Sequence, residues 1–123
     1  MNTDRNSPCI LLAEDEMLLA MMLEDRLNAS GYRVLKAARL AKCLELAESA
    51  AIDLAILDIN LAGEVSFPAA LALRRRGIPF VFSSGYGDED LPEVWRNEKI
   101  LQKPYDSRQL TEALTVLRTA RVS

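Results

Sequence analysis

The 123-residue sequence contains no histidine. This excludes an imidazole base, a histidine metal ligand and a phosphohistidine formed on this chain. Cysteine is scarce: Cys9 and Cys43 lie in apolar surroundings without CxxC spacing, so two reduced core residues are expected rather than a disulfide or a metal site. No apolar run approaches the ~18 residues of a membrane span, and the start from Met1 to Ser7 is polar where a signal peptide would be hydrophobic. No membrane association and a cytoplasmic location are therefore expected. A basic stripe is missing too. Net charge is −3, and the cluster Arg74-Arg75-Arg76 reads as the solvated end of a helix, so nucleic-acid binding is not expected. The chemistry left to this chain belongs to carboxylates, hydroxyls and lysine.

What is present is a balanced globular composition, half hydrophobic and 27% charged, at a length suited to one domain. Apolar runs at Cys9–Ala13, Leu54–Leu57 and Phe80–Ser83 have the length and flanks of strands buried on both faces. Shorter strands are expected at Arg33–Ala37 and Ile100–Gln102. Between them, helical spacing predicts helices over about 16–29 (Leu19, Met22, Leu23, Leu27), 40–51 (Leu40, Leu44, Ala47), 67–75 and 107–120 (Leu110, Leu114, Leu117). Ser30-Gly31 and Gly77 supply stops, and Asp106 or Ser107 supplies the last cap. Met17, Met21 and Met22 read as packing residues. The stretch Gly85 to Glu98, with two glycines, Asp88, Glu89, Asp90 and Pro92, predicts at most a short or mobile helix.

Strand and helix thus alternate five times, which predicts a parallel sheet with right-handed crossovers and helices on both faces, a three-layer α/β sandwich. In that architecture every strand delivers its C-terminal residues to one edge. Those residues are Glu14 and Asp15, then Asp58, then Ser83 and Ser84, then Lys103. Clustered carboxylates repel unless they share a cation, and oxygen ligands without His or Cys suit Mg²⁺. Lys103 and Ser84 are then placed to meet an anion, most simply a phosphoryl group on Asp58. Each residue has a plainer reading. Asp58, Glu14 and Asp15 could cap helices or turns, Ser84 could be a turn serine, and Lys103 a solvated lysine. Asp53 reads as part of the turn into the central strand.

With these residues in place, Pro8 to Leu117 resembles the receiver domain of bacterial two-component response regulators. The resemblance implies a flavodoxin-like (βα)₅ fold with sheet order 2-1-3-4-5. It also implies Mg²⁺ on Glu14, Asp15, Asp58 and the backbone carbonyl of Asn60. Asp58 would be the phospho-acceptor, Ser84 the switch hydroxyl and Lys103 the partner of the phosphoryl group, with a cis Lys103-Pro104 bond. The implied donor is a sensor histidine kinase or a histidine phosphotransfer protein, and the implied recipient is a downstream protein target. The stretch Pro79-Phe80-Val81-Phe82-Ser83-Ser84-Gly85-Tyr86 is similar to a stand-alone subgroup nicknamed FAT GUY, with Ser83-Ser84 for Ala-Thr. That likeness implies a poorly formed fourth helix.

Three departures stand out. Ile100 occupies the usual aromatic switch position, Ala62 replaces a common proline before Gly63 and is expected to alter loop stiffness but not chemistry, and no output domain is expected within 1–123. The leading expectation is a single-domain phospho-accepting switch rather than a metabolic enzyme. The alternatives are a receiver-fold scaffold that takes no phosphate, and an aspartyl-nucleophile phosphatase, which would want an acid where Asn60 stands.

Overall fold

The computed structural model describes residues 7–85 and 91–122, the side chains of 120–122 excepted. In chain order it has β1 (Cys9–Ala13), α1 (Met17–Ala29), β2 (Arg33–Ala37), α2 (Leu40–Ser49), β3 (Leu54–Asp58), β4 (Asn60–Leu61), β5 (Glu64–Val65), α3 (Phe67–Arg75), β6 (Phe80–Ser84), a 3₁₀ turn (Glu93–Trp95), β7 (Ile100–Gln102) and α4 (Ser107–Val122). Among the described residues five parallel strands form the main sheet in the order β2-β1-β3-β6-β7. Counting those five alone, this is the expected 2-1-3-4-5 order of a flavodoxin-like α/β fold. The β4 and β5 pair is a small antiparallel hairpin outside that sheet.

Every residue of β1, β3 and β6 is buried, because these central strands are covered on both faces. Alternation then sorts their side chains. Ile10, Leu12, Leu54, Ile56 and Val81 pack with Leu23 and Leu27 of α1 and Leu110, Ala113, Leu114 and Leu117 of α4. Leu11, Ala13, Ala55, Leu57, Phe80 and Phe82 face the other way, against Cys43 and Ala47 of α2 and Ala69, Ala70 and Leu73 of α3. The three layers follow from this period of two. Both cysteines are free and buried, and burial pushes the Cys43 thiol up to about 12.

Helix ends obey the local chemistry. At the end of α1, Gly31 takes φ +95° while the Tyr32 N–H donates to Leu27 O; at the end of α3, Gly77 takes φ +74° while the Ile78 N–H donates to Leu73 O. Each is the six-to-one closure that wants glycine. At the start of α4, the Gln109 N–H donates to Asp106 Oδ1 and the Asp106 N–H donates to Gln109 Oε1, so Asp106 is the cap. Asp53 accepts the Cys9 N–H at 2.8 Å and ties the turn before β3 to β1.

One expectation is corrected and another is extended. Met17, Met21 and Met22 do not pack: they are 75%, 49% and 54% exposed, and the buried stripe of α1 is Ala20, Leu23 and Leu27. The two stripes are offset around the helix, and only the one facing β1 and β3 finds a layer to enter. The arginine cluster is exposed but is not merely solvated. Arg76 donates to Ala47 O and Ala50 O at the end of α2, and the Arg74 guanidinium lies 4.2 Å from the Trp95 ring centroid while pairing with Glu98.

Between Gly85 and Glu98 the regular structure described is the single 3₁₀ turn, and residues 86–90, with Asp88, Glu89 and Asp90, lie outside the described residues. Trp95 anchors the turn, stacked on Phe67 and edge-on to Phe80 and Phe82 at centroid distances of 5.6–6.1 Å. Apolar burial dominates this cluster and Arg74 adds a clasp. Phe82→Ala is therefore expected to cost about 3–5 kcal/mol in urea unfolding, against about 1 kcal/mol for Arg74→Ala.

Candidate functional site

The sheet order changes direction between β1 and β3, so the chain leaves toward opposite sides and a crevice opens at their C-terminal ends. Glu14 stays in the sheet one residue past β1, its N–H donating to Ala37 O at 3.0 Å, and is only 3% exposed. Asp15 follows and is exposed. Asp58 closes β3 and Ser84 closes β6, both buried. Lys103 follows β7, held there by its N–H to Ser84 O at 2.8 Å, and its bond to Pro104 is cis.

The side chains converge. Lys103 Nζ donates to Glu14 Oε1 at 2.8 Å and to Asp58 Oδ2 at 2.9 Å. Carboxylate oxygens of Glu14, Asp15 and Asp58 lie within 4.8 Å of one another. Asp58, Asn60, Ser84 and Lys103 also line one open depression, with Ile59 and Gly85. The plainer readings hold in part: Glu14 Oε2 accepts the Glu16 N–H at 3.0 Å and Asp15 Oδ2 accepts the Ala62 N–H at 2.8 Å, as turn acids do. Glu16, not Glu14 or Asp15, is the N-cap of α1 and makes no side-chain cap bond, Ser84 belongs to a strand, and Lys103 is paired rather than solvated.

Three carboxylates face one ammonium. Burial raises the Asp58 carboxyl above the ordinary range against the pull of Lys103, and burial raises Glu14 likewise. Burial also works against the Lys103 charge, but its bonds to Glu14 and Asp58 outweigh that and leave it above the usual lysine value. The site is therefore short of positive charge. An all-oxygen donor set of this kind fits a hard divalent cation such as Mg²⁺.

Two features escaped the sequence reading. Ala62 and Gly63 turn the β4–β5 hairpin with φ +52° and +93°, the primed geometry of a two-residue loop. The Ala62 N–H donates to Asp15 Oδ2 at 2.8 Å, and Gly63 donates to Asn60 Oδ1 at 2.8 Å. A left-handed alanine costs about 1–2 kcal/mol, and a proline could adopt neither that φ nor that bond. The expectation that Ala62 alters only stiffness is thus too narrow. An X-Gly pair between Leu61 and Glu64 was the available signal. The second feature is Tyr105, which lines a hollow with Glu16, Leu19, Lys103 and Pro104 and whose hydroxyl is pushed up to about 12 by burial and the charge of Glu14.

This fold with this site defines the class of α/β proteins carrying an acidic crevice at the sheet switch point. The model of the response regulator receiver domain matches residues 10–115, and the chain belongs to that family. It is similar to the solution structure of SdrG from Sphingomonas melonis Fr1, with 42% identity and a TM-score of 0.79, covering 90% of this chain and 96% of that one. It is also similar to a response regulator receiver protein from Sinorhizobium medicae WSM419, with 30% identity and a TM-score of 0.82, covering 96% and 99%. An uncharacterized transcriptional regulatory protein of Bacillus subtilis, YbdJ, is 31% identical over 82% of this chain and 46% of its own length. The chain spans about half the length of the curated relatives it matches.

The charge imbalance is measurable. Without metal, Lys103→Met leaves two buried carboxylates unpaired and is expected to lower stability by about 3 kcal/mol. Asp58→Asn acts in the opposite direction. Because the folded-state pKa of Asp58 lies above its unfolded value, the folded parent holds the proton more tightly. Its stability relative to Asp58→Asn is greatest below the unfolded value and falls as pH rises through the folded one. In EDTA the variant's advantage in Tm should therefore grow from pH 4 to pH 7, and millimolar Mg²⁺ at pH 7 should narrow it.

Proposed function

We propose that this chain is a receiver-domain signalling switch with its core at about 8–117, which accepts a phosphoryl group on Asp58 from the phosphohistidine of a sensor histidine kinase or phosphotransfer protein. The observation that carries the reading is the convergence of Asp58 with Lys103 and two further carboxylates at one strand edge. Glu14, Asp15, Asp58 and the backbone carbonyl of Asn60 would hold Mg²⁺, which when bound neutralises charge on the transferring group.

One Asp58 carboxylate oxygen attacks phosphorus in line, the donor's N–P bond breaks, and the imidazole leaves with the electron pair and takes a proton from solvent. Lys103 exchanges its bond to Asp58 for one to a phosphoryl oxygen while Glu14 keeps its ammonium oriented. Ser84, at the same depression, donates its hydroxyl to the phosphoryl group, and its movement passes along β6 to the segment beyond. The output is a changed protein surface offered to a downstream target in the cytoplasm.

A protein donor is supported by the exposed strip Met17, Leu18, Met21 and Met22 beside the hollow that Glu16, Leu19 and Lys103 line, since a broad apolar surface fits a protein better than a small phosphorylated metabolite. The phosphatase alternative wants an acid where Asn60 stands, and an amide, whose Oδ1 here accepts the Gly63 N–H, has no such proton to give.

Incubation with acetyl phosphate and Mg²⁺, followed by intact-mass measurement, is expected to add one phosphoryl group to the parent, with EDTA abolishing the gain. Asp58→Asn should gain nothing, and Lys103→Met should label about a hundredfold more slowly. An unlabelled parent, or equal labelling of Asp58→Asn, overturns the reading.

A further inference from the structure

The bond between the Ala62 amide and Asp15 spans 47 residues of sequence and joins the loop after β1 to the hairpin after β3. Ala62 holds a left-handed backbone, unlike every other non-glycine among the described residues. Its N–H lies outside the hairpin ladder, where Asn60 pairs with Val65 and Leu61 with Glu64, and points toward the acidic crevice. Asp15 is exposed, and a short exposed carboxylate without a fixed donor samples several rotamers. Here the donor is backbone, and its position is set by the hairpin.

Resting on the metal reading above, we propose that the Ala62 N–H is a positioning group: it fixes Asp15 Oδ2 so that this residue serves the cation as a one-oxygen ligand. Two consequences follow for metal choice. Preorganised Asp15 tightens binding, because less freedom is lost when the ion arrives. One-oxygen ligation favours the compact octahedral shell of Mg²⁺ over Ca²⁺, which accepts bidentate carboxylates and larger coordination numbers.

The test is calorimetric titration with MgCl₂ and, separately, CaCl₂ of the parent, Ala62→Gly and Ala62→Pro. Glycine keeps the N–H and adopts positive φ freely, whereas proline removes both. Ala62→Gly is expected to stay within about twofold of the parent for both ions. Ala62→Pro is expected to lose about ten- to hundredfold in Mg²⁺ affinity and less in Ca²⁺ affinity, so the preference for Mg²⁺ narrows. In the parent, exchange of the Ala62 amide hydrogen should stay slow or slow further when Mg²⁺ is added, a readout that needs no variant. A folded Ala62→Pro that binds Mg²⁺ as tightly as the parent, or faster Ala62 exchange on Mg²⁺ addition, overturns the proposal and leaves the metal reading standing. A parent that binds no Mg²⁺ overturns both.

Discussion

One ammonium group between two buried carboxylates organises this molecule. Lys103 reaches Glu14 and Asp58 from the far side of β6, and in doing so links the ends of β1, β3 and β7. Neither acid is stable in its burial without that charge, and burial disfavours the lysine charge unless the acids remain. The arrangement is a mutual dependence held by the sheet. Asp15 lies within reach of the same point and adds the negative charge that a single lysine does not balance.

The rest of the fold exists to hold those termini still. The two halves of the core belong to opposite faces of β1, β3 and β6, so no change in one helical layer leaves the strands unsupported on both sides. Backbone bonds carry the order past the formal strand ends: Glu14 to Ala37, Ile59 to Ser83 and Lys103 to Ser84 each extend the ladder by one residue. Glu14, Asp58, Ser84 and Lys103 therefore sit on or beside hydrogen-bonded sheet backbone, while the β4–β5 hairpin lies outside the main sheet.

Most of this was legible from the residues. Strands such as Leu54–Asp58 announce themselves because a doubly covered strand must be apolar at every position until it ends, and an acid at that end is conspicuous. Glycines 31 and 77 marked two helix ends because no other residue closes them without strain. Other features were hidden. Met22 obeys the spacing of a buried stripe, and its exposure depends on how α1 is rotated against the sheet, which spacing along one helix does not state. Arg74 and Arg76 find partners on α2 and near Trp95, across distances no local pattern encodes. The amide of Ala62 was invisible for a deeper reason: a backbone donor is the same in every residue but proline, and its direction is known only once the path of the loop is.

Trp95 is the single tryptophan of the chain, and it rests edge-on against Phe82, two residues before Ser84, on the face of β6 opposite α4. The indole thus sits one strand period away from the residue that closes β6 at the acidic crevice. The molecule carries one optical gauge seated on β6, and any slip of that strand against its aromatic neighbours would change the indole's surroundings without a label.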